Sequence, residues 1–505
     1  MTLVDLLRAS VERAPGHEAL VHQQRRISYG TLWGQVLALN AFFQKRGLRA
    51  GERVALLLEN SPEYAAAYYG TLAAGGAVVA LNTQAKARDL ANWLRHSGAA
   101  WLIADARLAE LAALLPERGA CQVLLVNPSG PVAADVTDWN AMLSTAAGET
   151  ACVPVVSSDL AQIIYTSGTT GAPKGVMLSH GNLYANTQSI LAYLKLTAAD
   201  SILNVLPFYY SYGNSVLHTH LAAGARVVLE NSLAYPHAVM QTMARERVTG
   251  FSGVPSTFAL LLSRVKLSDY DLSSLRYLTQ AGGAMPPAHI QRCKEALPHV
   301  RFIVMYGQTE ATARIAYLPP EKLEEKLGAI GIAIPGVNME LRDEHGCGVA
   351  RGATGEIWVR GENIMPGYWN NPEATARVIQ AGWLKTGDLA RQDDDGYFYI
   401  HGRSSDMIKT GAHRISPQEI EEAILELEGV AEAAVVGVAD EILGEVIKAV
   451  IVPRAGHTLE PRTVQAHCHR RLALYKVPKL VEFVHELPKT ASGKIKRFLL
   501  TGAKS

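Results

Sequence analysis

The segment with the clearest capacity for chemistry runs from Tyr165 to Val176 and reads YTSGTTGAPKGV. An apolar, β-prone stretch leads into a run of glycines and hydroxyls that ends at Lys174. Glycines let the backbone approach a ligand closely, and successive N–H groups and hydroxyls can surround phosphate oxygens. The P-loop pattern GxxxxGK[ST] does not fit, because Pro173 precedes the lysine and Gly175 follows it. The segment predicts a phosphate-binding loop of another type.

Five further strings along the chain combine small residues with acids, bases or aromatic rings. In chain order they are Gly282-Gly283-Ala284, Tyr306-Gly307-Gln308-Thr309-Glu310, Thr386-Gly387-Asp388, Gly402-Arg403 and Pro488 to Lys494. A carboxylate such as Glu310 suits a hard cation, for example Mg²⁺ bridging phosphate oxygens. Each string alone has an ordinary explanation, since Asp388 could lie in a turn and Lys494 on the surface. Their joint occurrence is what makes a nucleotide site the better interpretation.

Together these strings resemble the adenylate-forming superfamily of acyl-CoA synthetases, amino-acid adenylation domains and firefly luciferase, in the family's order and over nearly the whole chain. The chain looks most like a stand-alone acyl-CoA synthetase or acyl-AMP ligase. The resemblance implies that ATP and a carboxylic acid form an acyl-AMP with release of pyrophosphate. It also implies that a pantetheine thiol then displaces AMP, the thiol being that of CoA or of a carrier protein.

The resemblance further implies a role for individual residues. Lys494, Glu310, Thr166 and Lys174 are expected to be catalytic, with Glu310 as the Mg²⁺ ligand. The nucleotide-binding residues it implies are Thr166, Ser167, Gly168, Thr169, Thr170, Gly171, Lys174, Gly283, Ala284, Tyr306, Gly307, Thr309, Asp388, Arg403 and Lys494. A carboxylic acid is ionised at neutral pH and attacks ATP itself. The reaction therefore requires neither a side-chain nucleophile nor a general base, and no Ser/His/Asp set stands out.

Length and pattern predict an α/β protein with more than one domain. The 505 residues exceed the ~250–300 at which one core stops growing. Buried strands alternate with helices over the first two thirds, which favours layered, largely parallel sheets. A small β unit follows from about residue 335. We expect a large N-terminal domain over 1–402 that carries the ATP and acyl sites. A small, mobile α+β domain over 403–505 would carry the lysine and the thiol-acceptor face.

Two positions depart from the family pattern. The resemblance places the hinge of the mobile domain at Ser405, where relatives commonly carry Asp or Lys. It places the thiol tunnel at Gly411 and Ala412, and the family usually has glycine at the second position. A methyl group there would narrow the approach of the thiol. Either Gly411 supplies the unrestricted φ that glycine usually provides in this loop, or thioester formation is slowed.

The acyl pocket is expected around the tyrosine-rich segment that follows Pro207. The residues assigned to it are Tyr210, Ser211, Asn214, Gly253, Gly282 and Gly283. No acidic residue occurs from Asn204 to Leu229, so an α-ammonium would lack a partner and a standard amino acid is disfavoured. His218 and His220 either provide hydrogen-bonding groups for the substrate or pack on a helix face below the pocket. The identity of the acid cannot be read from these residues.

Composition narrows the remaining classes. A formal net charge of +1 gives no reason to expect nucleic acid or an anionic membrane as a partner. Five scattered cysteines without CxxC fit a reducing cytoplasm. The uncharged run from Tyr64 to Asn82 is interpreted as a buried helix leading into a buried strand, not a membrane span. His467-Cys468-His469 is interpreted as helix surface, not a metal site.

Several alternatives stay open at this point. The chain could load an amino, imino or other acid onto a carrier-protein phosphopantetheine. A luciferase-like oxygenase would share every adenylation motif, and a non-catalytic ATP-binding protein would share the nucleotide site. The chain is expected to be a cytoplasmic monomer or homodimer.

Overall fold

The computed structural model describes residues 1–145, 150–166, 174–403, 406–410, 413–440, 444–489 and 495–501. The α-helices in this part of the chain are α1 (Leu3–Arg13), α2 (Tyr29–Lys45), α3 (Pro62–Ala73), α4 (Ala87–Ser97), α5 (Leu111–Leu114), α6 (Trp139–Thr145), α7 (His180–Leu194), α8 (Ser211–Ala223), α9 (Pro236–Arg245), α10 (Pro255–Arg264), α11 (Pro287–Ala296), α12 (Pro372–Val378), α13 (Pro417–Leu425) and α14 (Pro461–Arg471).

The strands of the first two thirds of the chain are mostly short and apolar. They are β1 (Glu18–His22), β2 (Arg25–Ser28), β3 (Arg53–Leu57), β4 (Ala77–Ala80), β5 (Ala99–Asp105), β6 (Gln122–Val126), β7 (Val136–Asp138), β8 (Leu160–Thr166), β9 (Lys174–Ser179), β10 (Ser201–Asn204), β11 (Arg226–Leu229), β12 (Gly250–Gly253), β13 (Tyr277–Gln280), β14 (Arg301–Tyr306), β15 (Ala316–Tyr317) and β16 (Ile332–Ala333).

The remaining strands belong to smaller sheets. They are β17 (Val337–Arg342), β18 (Gly355–Gly361), β19 (Gly367–Tyr368), β20 (Ile379–Gln380), β21 (Trp383–Gln392), β22 (Phe398–Arg403), β23 (Ile408–Thr410), β24 (His413–Ile415), β25 (Val430–Asp440), β26 (Gly444–Pro453) and β27 (Leu480–Phe483).

Two large sheets carry three of the predicted strings at their strand ends, namely Tyr165 to Val176, Gly282-Gly283-Ala284 and Tyr306 to Glu310. One has the order β16-β15-β14-β13-β12-β10-β11-β1-β2, and its six strands from β14 to β1 are parallel. The other has the order β19-β9-β8-β4-β3-β5-β6-β7 and is parallel from β8 to β7. A single core cluster contains side chains from both sheets and from α2, α3 and α8 between them. The predicted layered, largely parallel sheets are confirmed.

Helix α3 and strand β4 account for the long uncharged run. Ser61 caps the helix by accepting from the Tyr64 N–H, and Pro62 occupies its first turn, where its missing N–H costs nothing. Every residue of α3 is buried. Gly75 then adopts a φ of 75° and the chain turns into β4. Among the described residues, no helix is both long and apolar enough to cross a bilayer.

Two smaller sheets complete the fold as predicted. Strands β17, β18, β21, β20 and β22 form an antiparallel unit. Strands β24, β23, β26, β25 and β27 form the C-terminal sheet, and side chains of α13 and α14 share its core cluster. The α/β class, with a small β unit and a smaller α+β region, is thereby confirmed. The boundary after residue 402 stays a prediction.

The interpretation of His467 and Cys468 as helix surface is wrong. Both are buried in the core cluster or beside it, and a ring nitrogen of His467 lies 2.9 Å from the Ala423 carbonyl oxygen. Helix α13 and strand β27 pack against α14 and bury this face, and the sequence of the helix alone does not show that packing. Within the described ranges no group of three or more potential metal ligands occurs, and all five cysteines are free thiols.

Candidate active site

The predicted phosphate loop joins two antiparallel strands. Thr166, the last residue of β8, pairs with Lys174, the first residue of β9. Tyr165 fixes this hairpin, because its ring stacks on Trp93 at 5.4 Å and its hydroxyl lies 2.8 Å from Nδ1 of His96. On the other side, the Trp369 N–H donates to the Gly175 carbonyl at 2.7 Å. Neighbouring elements therefore hold both ends of the loop.

Lys174 and Glu310 both contact the side chain of Tyr368. The Tyr368 hydroxyl donates to Oε1 of Glu310 at 2.9 Å, and Nζ of Lys174 lies 5.2 Å from the centre of the Tyr368 ring. Burial is the main cause that raises the pKa of Tyr368, and the charge of Glu310 adds to it, so the phenol stays a donor. The pairing of β19 with β9 brings Tyr368 to this place.

Oε2 of Glu310 has no hydrogen-bond or ion-pair partner among the described residues. Glu310 follows the end of β14 in a short turn, and its carbonyl accepts from the Met365 N–H at 2.9 Å. A carboxylate that is held at one oxygen and available at the other is a suitable ligand for Mg²⁺. The chemistry of this donor therefore fits the cation that the sequence predicted.

Asp388 joins two of the predicted nucleotide residues. Its Oδ2 accepts from the Tyr306 hydroxyl at 2.5 Å, and its Oδ1 accepts from Nε of Arg403 at 3.1 Å. The negative charge of Asp388 raises the pKa of Arg403. Asp388 itself is 5% exposed. Three of the predicted strings, widely separated in sequence, thus converge on one carboxylate.

The small residues after β13 form an open surface. Gly282, Gly283 and Ala284 are all exposed, and Gly282 needs its glycine because its φ is 88°. Gly307 has a different role, since a Cβ there would lie 2.0 Å from the Ala313 carbonyl oxygen. It permits the sharp chain crossing after β14. Thr309 follows, with its hydroxyl 3.3 Å from that of Ser211.

The predicted acyl-pocket residues on α8 lie at its first turns. The helix begins at Ser211, directly after Tyr210, whose hydroxyl accepts from Nδ2 of Asn82 at 3.4 Å. Asn214 is one turn further on and is 2% exposed. Its Oδ1 lies 2.8 Å from Nε2 of His218. The contact between Ser211 and Thr309 joins this helix to the nucleotide side of the site.

Gly253 and the two histidines lie in packed surroundings. A Cβ on Gly253 would come within 2.9 Å of Thr257 and Phe258 in the following helix. His218 contacts the Tyr69 hydroxyl at 3.0 Å and His220 contacts the Tyr277 hydroxyl at 2.8 Å. Burial lowers the pKa of His218 to about 3 and that of His220 to about 4, so both rings are neutral.

Some predicted positions lie outside the described residues. These are Ser167, Gly168, Thr169, Thr170, Gly171, Ser405, Gly411, Ala412 and Lys494. Sequence reasoning missed Tyr368, although it stands in the string Pro366-Gly367-Tyr368-Trp369. It also missed Arg314, which is 3% exposed and lies with its Cζ 4.1 Å from the Tyr212 ring centre. An arginine inside the otherwise apolar run from Ala313 to Leu318 was the available signal.

The chain matches two family models. Residues 7–369 match the model of the AMP-binding enzyme, and residues 419–494 match that of the AMP-binding enzyme C-terminal domain. Relatives include a feruloyl-CoA synthase of Amycolatopsis sp, 36% identical with 95% of each chain covered. A long-chain-fatty-acid–CoA ligase of Bacillus subtilis (strain 168) is 33% identical over 98% of this chain and 93% of its own.

Solved structures show the same relationship. The structure superposes on the anthranilate CoA ligase AuaEII in complex with anthranoyl-AMP with a TM-score of 0.92 and 28% identity, covering 100% of this chain and 97% of that one. A benzoate CoA ligase from Burkholderia xenovorans LB400 gives a TM-score of 0.90 at 27% identity, with 99% and 100% covered. The chain therefore belongs to the AMP-binding enzyme family, as an acid–thiol ligase of the acyl-CoA ligase type.

Proposed function

We propose that this enzyme activates a carboxylic acid with ATP as an acyl-AMP and then transfers the acyl group to the thiol of CoA. The observation that carries the proposal is the cluster of Lys174, Tyr368 and Glu310 beside the phosphate hairpin. Asp388 with Tyr306 and Arg403 supplies the second half of a nucleotide site. The relatives named above are CoA ligases, which supports CoA over a carrier protein.

In the first step a carboxylate oxygen attacks the α-phosphorus of ATP. The new O–P bond forms as the bond to the bridging oxygen breaks, and pyrophosphate leaves. Two anions must be brought together, so the site has to neutralise charge and fix an in-line geometry. We assign this work to Lys174, to the hydroxyl of Thr166 and to Lys494, with Thr309 at the α-phosphate.

Glu310 would hold Mg²⁺ through Oε2, while Tyr368 keeps the carboxylate oriented through Oε1. The ion, when bound, supplies positive charge to the phosphate oxygens. Asp388 would accept hydrogen bonds from the ribose hydroxyls, which would compete with the Tyr306 hydroxyl and Arg403 for its oxygens. The exposed small residues at Gly283 and Ala284 leave room for a flat base beside the end of β13.

In the second step the thiol sulfur attacks the acyl carbon and AMP leaves. The S–H proton is released to solvent, and the C–O bond of the mixed anhydride is exchanged for a C–S bond. We assign the thiol approach to the region around Gly411 and Ala412, with Ser405 as the hinge between the two half-reactions. The methyl group of Ala412 is the feature of this region that departs from the usual pattern.

Two assays separate the proposal from its alternatives. Acid-dependent exchange of labelled pyrophosphate into ATP tests adenylation, and a protein that only binds ATP gives no exchange. Thioester formation with free CoA, compared with formation on a phosphopantetheinylated carrier protein, tests the acceptor. Exchange without any CoA thioester would contradict the second half of the proposal. An oxygen-dependent emission of light from the adenylate would favour the oxygenase alternative.

A further inference from the structure

Arg314 is a buried cation without an anionic partner in the part of the chain that the structure describes. It is 3% exposed, and among the described residues it forms no ion pair. Its Nε donates to Sδ of Met305 at 3.3 Å and its Nη1 donates to the Ala313 carbonyl at 3.3 Å. The ring of Tyr212 lies 4.1 Å from Cζ. The Tyr193 hydroxyl also hydrogen-bonds to Arg314. These neighbours are all uncharged, so they compensate a buried guanidinium only in part.

The guanidinium stacks on a ring whose neighbour in sequence contacts the proposed reacting end of the site. Tyr212, on which it stacks, directly follows Ser211, and the Ser211 hydroxyl is 3.3 Å from that of Thr309. Arg314 itself belongs to the loop that leaves β14 through Thr309 and Glu310. A substrate whose carboxylate reacts beside Thr309 would therefore extend its acyl group past the first turn of α8, toward Tyr212 and Arg314.

A second observation concerns two buried carboxamides in the same region. Nδ2 of Asn214 and Nε2 of Gln308 are buried and donate to no described atom. The orientation of the Asn214 amide is fixed, because its Oδ1 lies against Nε2 of His218, and Nδ1 of that ring lies against the Tyr69 hydroxyl. Asn214 stands one helical turn after Ser211, and Gln308 directly precedes Thr309. Both groups are donors for which the described residues supply no acceptor.

We propose that the acid activated by this enzyme carries a second carboxylate, which Arg314 binds. The inference rests on the proposed function, since it assigns the substrate class of that same site. The donor groups of Asn214 and Gln308 would bind oxygen atoms of the same acyl group. The reacting carboxylate lies at Thr309, and the second carboxylate neutralises the guanidinium, so that a dicarboxylic acid satisfies both charges.

The charge of the region also explains which acids are excluded. No acidic residue occurs from Asn204 to Leu229, and Arg314 adds a positive charge beside Tyr212. A substrate ammonium group would be repelled there and would lack a partner. An acid with an apolar tail would leave the guanidinium buried and unpaired, so its transition state would gain nothing from Arg314.

The test uses the full-length enzyme and pairs of acids with the same carbon skeleton. Each pair contains a monocarboxylic acid and its α,ω-dicarboxylic counterpart, from four to twelve carbons in length, together with 3-phenylpropanoate and its 4-carboxy derivative. The readouts are pyrophosphate exchange and CoA thioester formation. For the best skeleton we expect the dicarboxylic member to have a kcat/KM at least about tenfold higher, as a charge-assisted pair predicts.

Variants assign the preference to the residue. Arg314→Met should lower kcat/KM for the dicarboxylic acid by about tenfold or more and change that for the monocarboxylic acid by less than about threefold. Arg314→Lys should keep the direction of the preference. Arg342→Met is the matched control, because Arg342 also stacks on aromatic rings, 4.7 Å from Trp358 and 4.4 Å from Trp383, in the small β unit. It should leave the preference unchanged.

Each outcome decides between the two proposals. Preference for the monocarboxylic member at every length overturns the substrate inference and leaves the proposed function standing. Equal losses on both acids in Arg314→Met also overturn it. If that variant does not fold, the wild-type ratios across the panel decide alone, with dicarboxylate-dependent thermal stabilisation as the second measurement. If none of the monocarboxylic or dicarboxylic acids supports pyrophosphate exchange, both the proposed function and the inference are overturned.

Discussion

The hydroxyl of Tyr368 donates a 2.9 Å hydrogen bond to Oε1 of Glu310. The two residues lie on different elements, since Tyr368 ends the short strand β19 and Glu310 follows the end of β14. The Tyr368 ring is also 5.2 Å from Nζ of Lys174. One side chain therefore contacts the proposed metal ligand and the proposed phosphate-binding lysine, which makes Tyr368 a positioning residue for both.

Replacement of Tyr368 by phenylalanine removes this hydrogen bond and keeps the ring. A hydrogen bond to a charged group contributes about 1.5–3 kcal/mol, so we expect kcat for pyrophosphate exchange to fall about tenfold or more. The Mg²⁺ concentration that gives half-maximal activity should rise, because Glu310 is no longer held. A magnesium titration of both enzymes measures this effect.

Tyr399→Phe is the matched control for that experiment. The Tyr399 hydroxyl donates to Asp393 at 3.3 Å, away from the predicted site residues. It should alter neither the magnesium dependence nor kcat. An unchanged magnesium titration in Tyr368→Phe would show that Glu310 does not depend on the tyrosine.

Asp388→Ala tests the assignment of the ribose site. The change removes the acceptor for the Tyr306 hydroxyl and for Arg403, and it removes the group proposed to bind ribose. We expect the KM for ATP to rise about 30–100-fold, which corresponds to roughly 2–3 kcal/mol. The KM for the acid should change little. Asp393→Ala, which removes one of the carboxylate partners of Lys326, should lower stability without this selective effect.

The elements that could be predicted from sequence are those whose own residues determine them. The apolar pattern predicts a helical stretch from Tyr29 to Lys45 and a strand from Arg301 to Tyr306. Helix α2 and strand β14 have these bounds, because each is an uninterrupted apolar or amphipathic segment between clear breakers. The apolar run predicts a strand from Lys448 to Val452. Strand β26 instead begins at Gly444, since its hairpin with β25 continues beyond the apolar run. There the ladder hydrogen bonds, not the side-chain pattern, define the strand.

The site could be predicted only in part for a similar reason. Glu310, Asp388 and Arg403 were found because their neighbours in sequence form recognisable strings. Tyr368 could not be assigned to Glu310, because their contact depends on β19 pairing with β9. Arg314 was missed because its significance lies in having no anionic partner among the described residues, and sequence does not show which charges are buried together.

A buried histidine should make the protein sensitive to mild acid. His180 is 1% exposed, neither ring nitrogen has a described partner, and burial lowers its pKa to about 4. The unfolded chain binds a proton below about pH 6.5, so the folded state binds fewer protons between pH 6.5 and 4. The contribution of neutral His180 to the free energy of unfolding is therefore fully present above pH 6.5. It falls by about 1.4 kcal/mol for each pH unit as the pH is lowered from 6.5 to 4.

His180→Leu should remove this dependence. The free energy of unfolding in urea, compared at pH 7.5 and pH 5.0, should differ by about 2 kcal/mol less in the variant than in the wild type. At pH 7.5 the change should lie within about 1 kcal/mol, because no described hydrogen bond is lost. His218→Leu is the contrasting variant, because it leaves Oδ1 of Asn214 and the Tyr69 hydroxyl without their hydrogen-bond partner. It should lower the free energy of unfolding by about 2–3 kcal/mol at pH 7.5. An unchanged acid dependence in His180→Leu would contradict the prediction.

Two glycines near the nucleotide site should respond differently to alanine. A Cβ on Gly307 would lie 2.0 Å from the Ala313 carbonyl, a backbone atom that cannot move aside cheaply. Gly307→Ala should therefore destabilise the enzyme by about 2–4 kcal/mol.

At Gly283 the nearest atom is Cγ of Pro255 at 3.4 Å, the φ is not in the left-handed region, and the surface is exposed. Gly283→Ala should keep the thermal midpoint of the wild type. The methyl group would instead occupy space assigned to the adenine and the acyl group, so the KM values for ATP and acid should rise about tenfold, or roughly 1.4 kcal/mol. Thermal melts and initial rates on both variants distinguish the two roles. A Gly283→Ala enzyme with wild-type kinetics would remove this residue from the binding surface, because an added methyl group cannot be neutral where a ligand contacts the backbone.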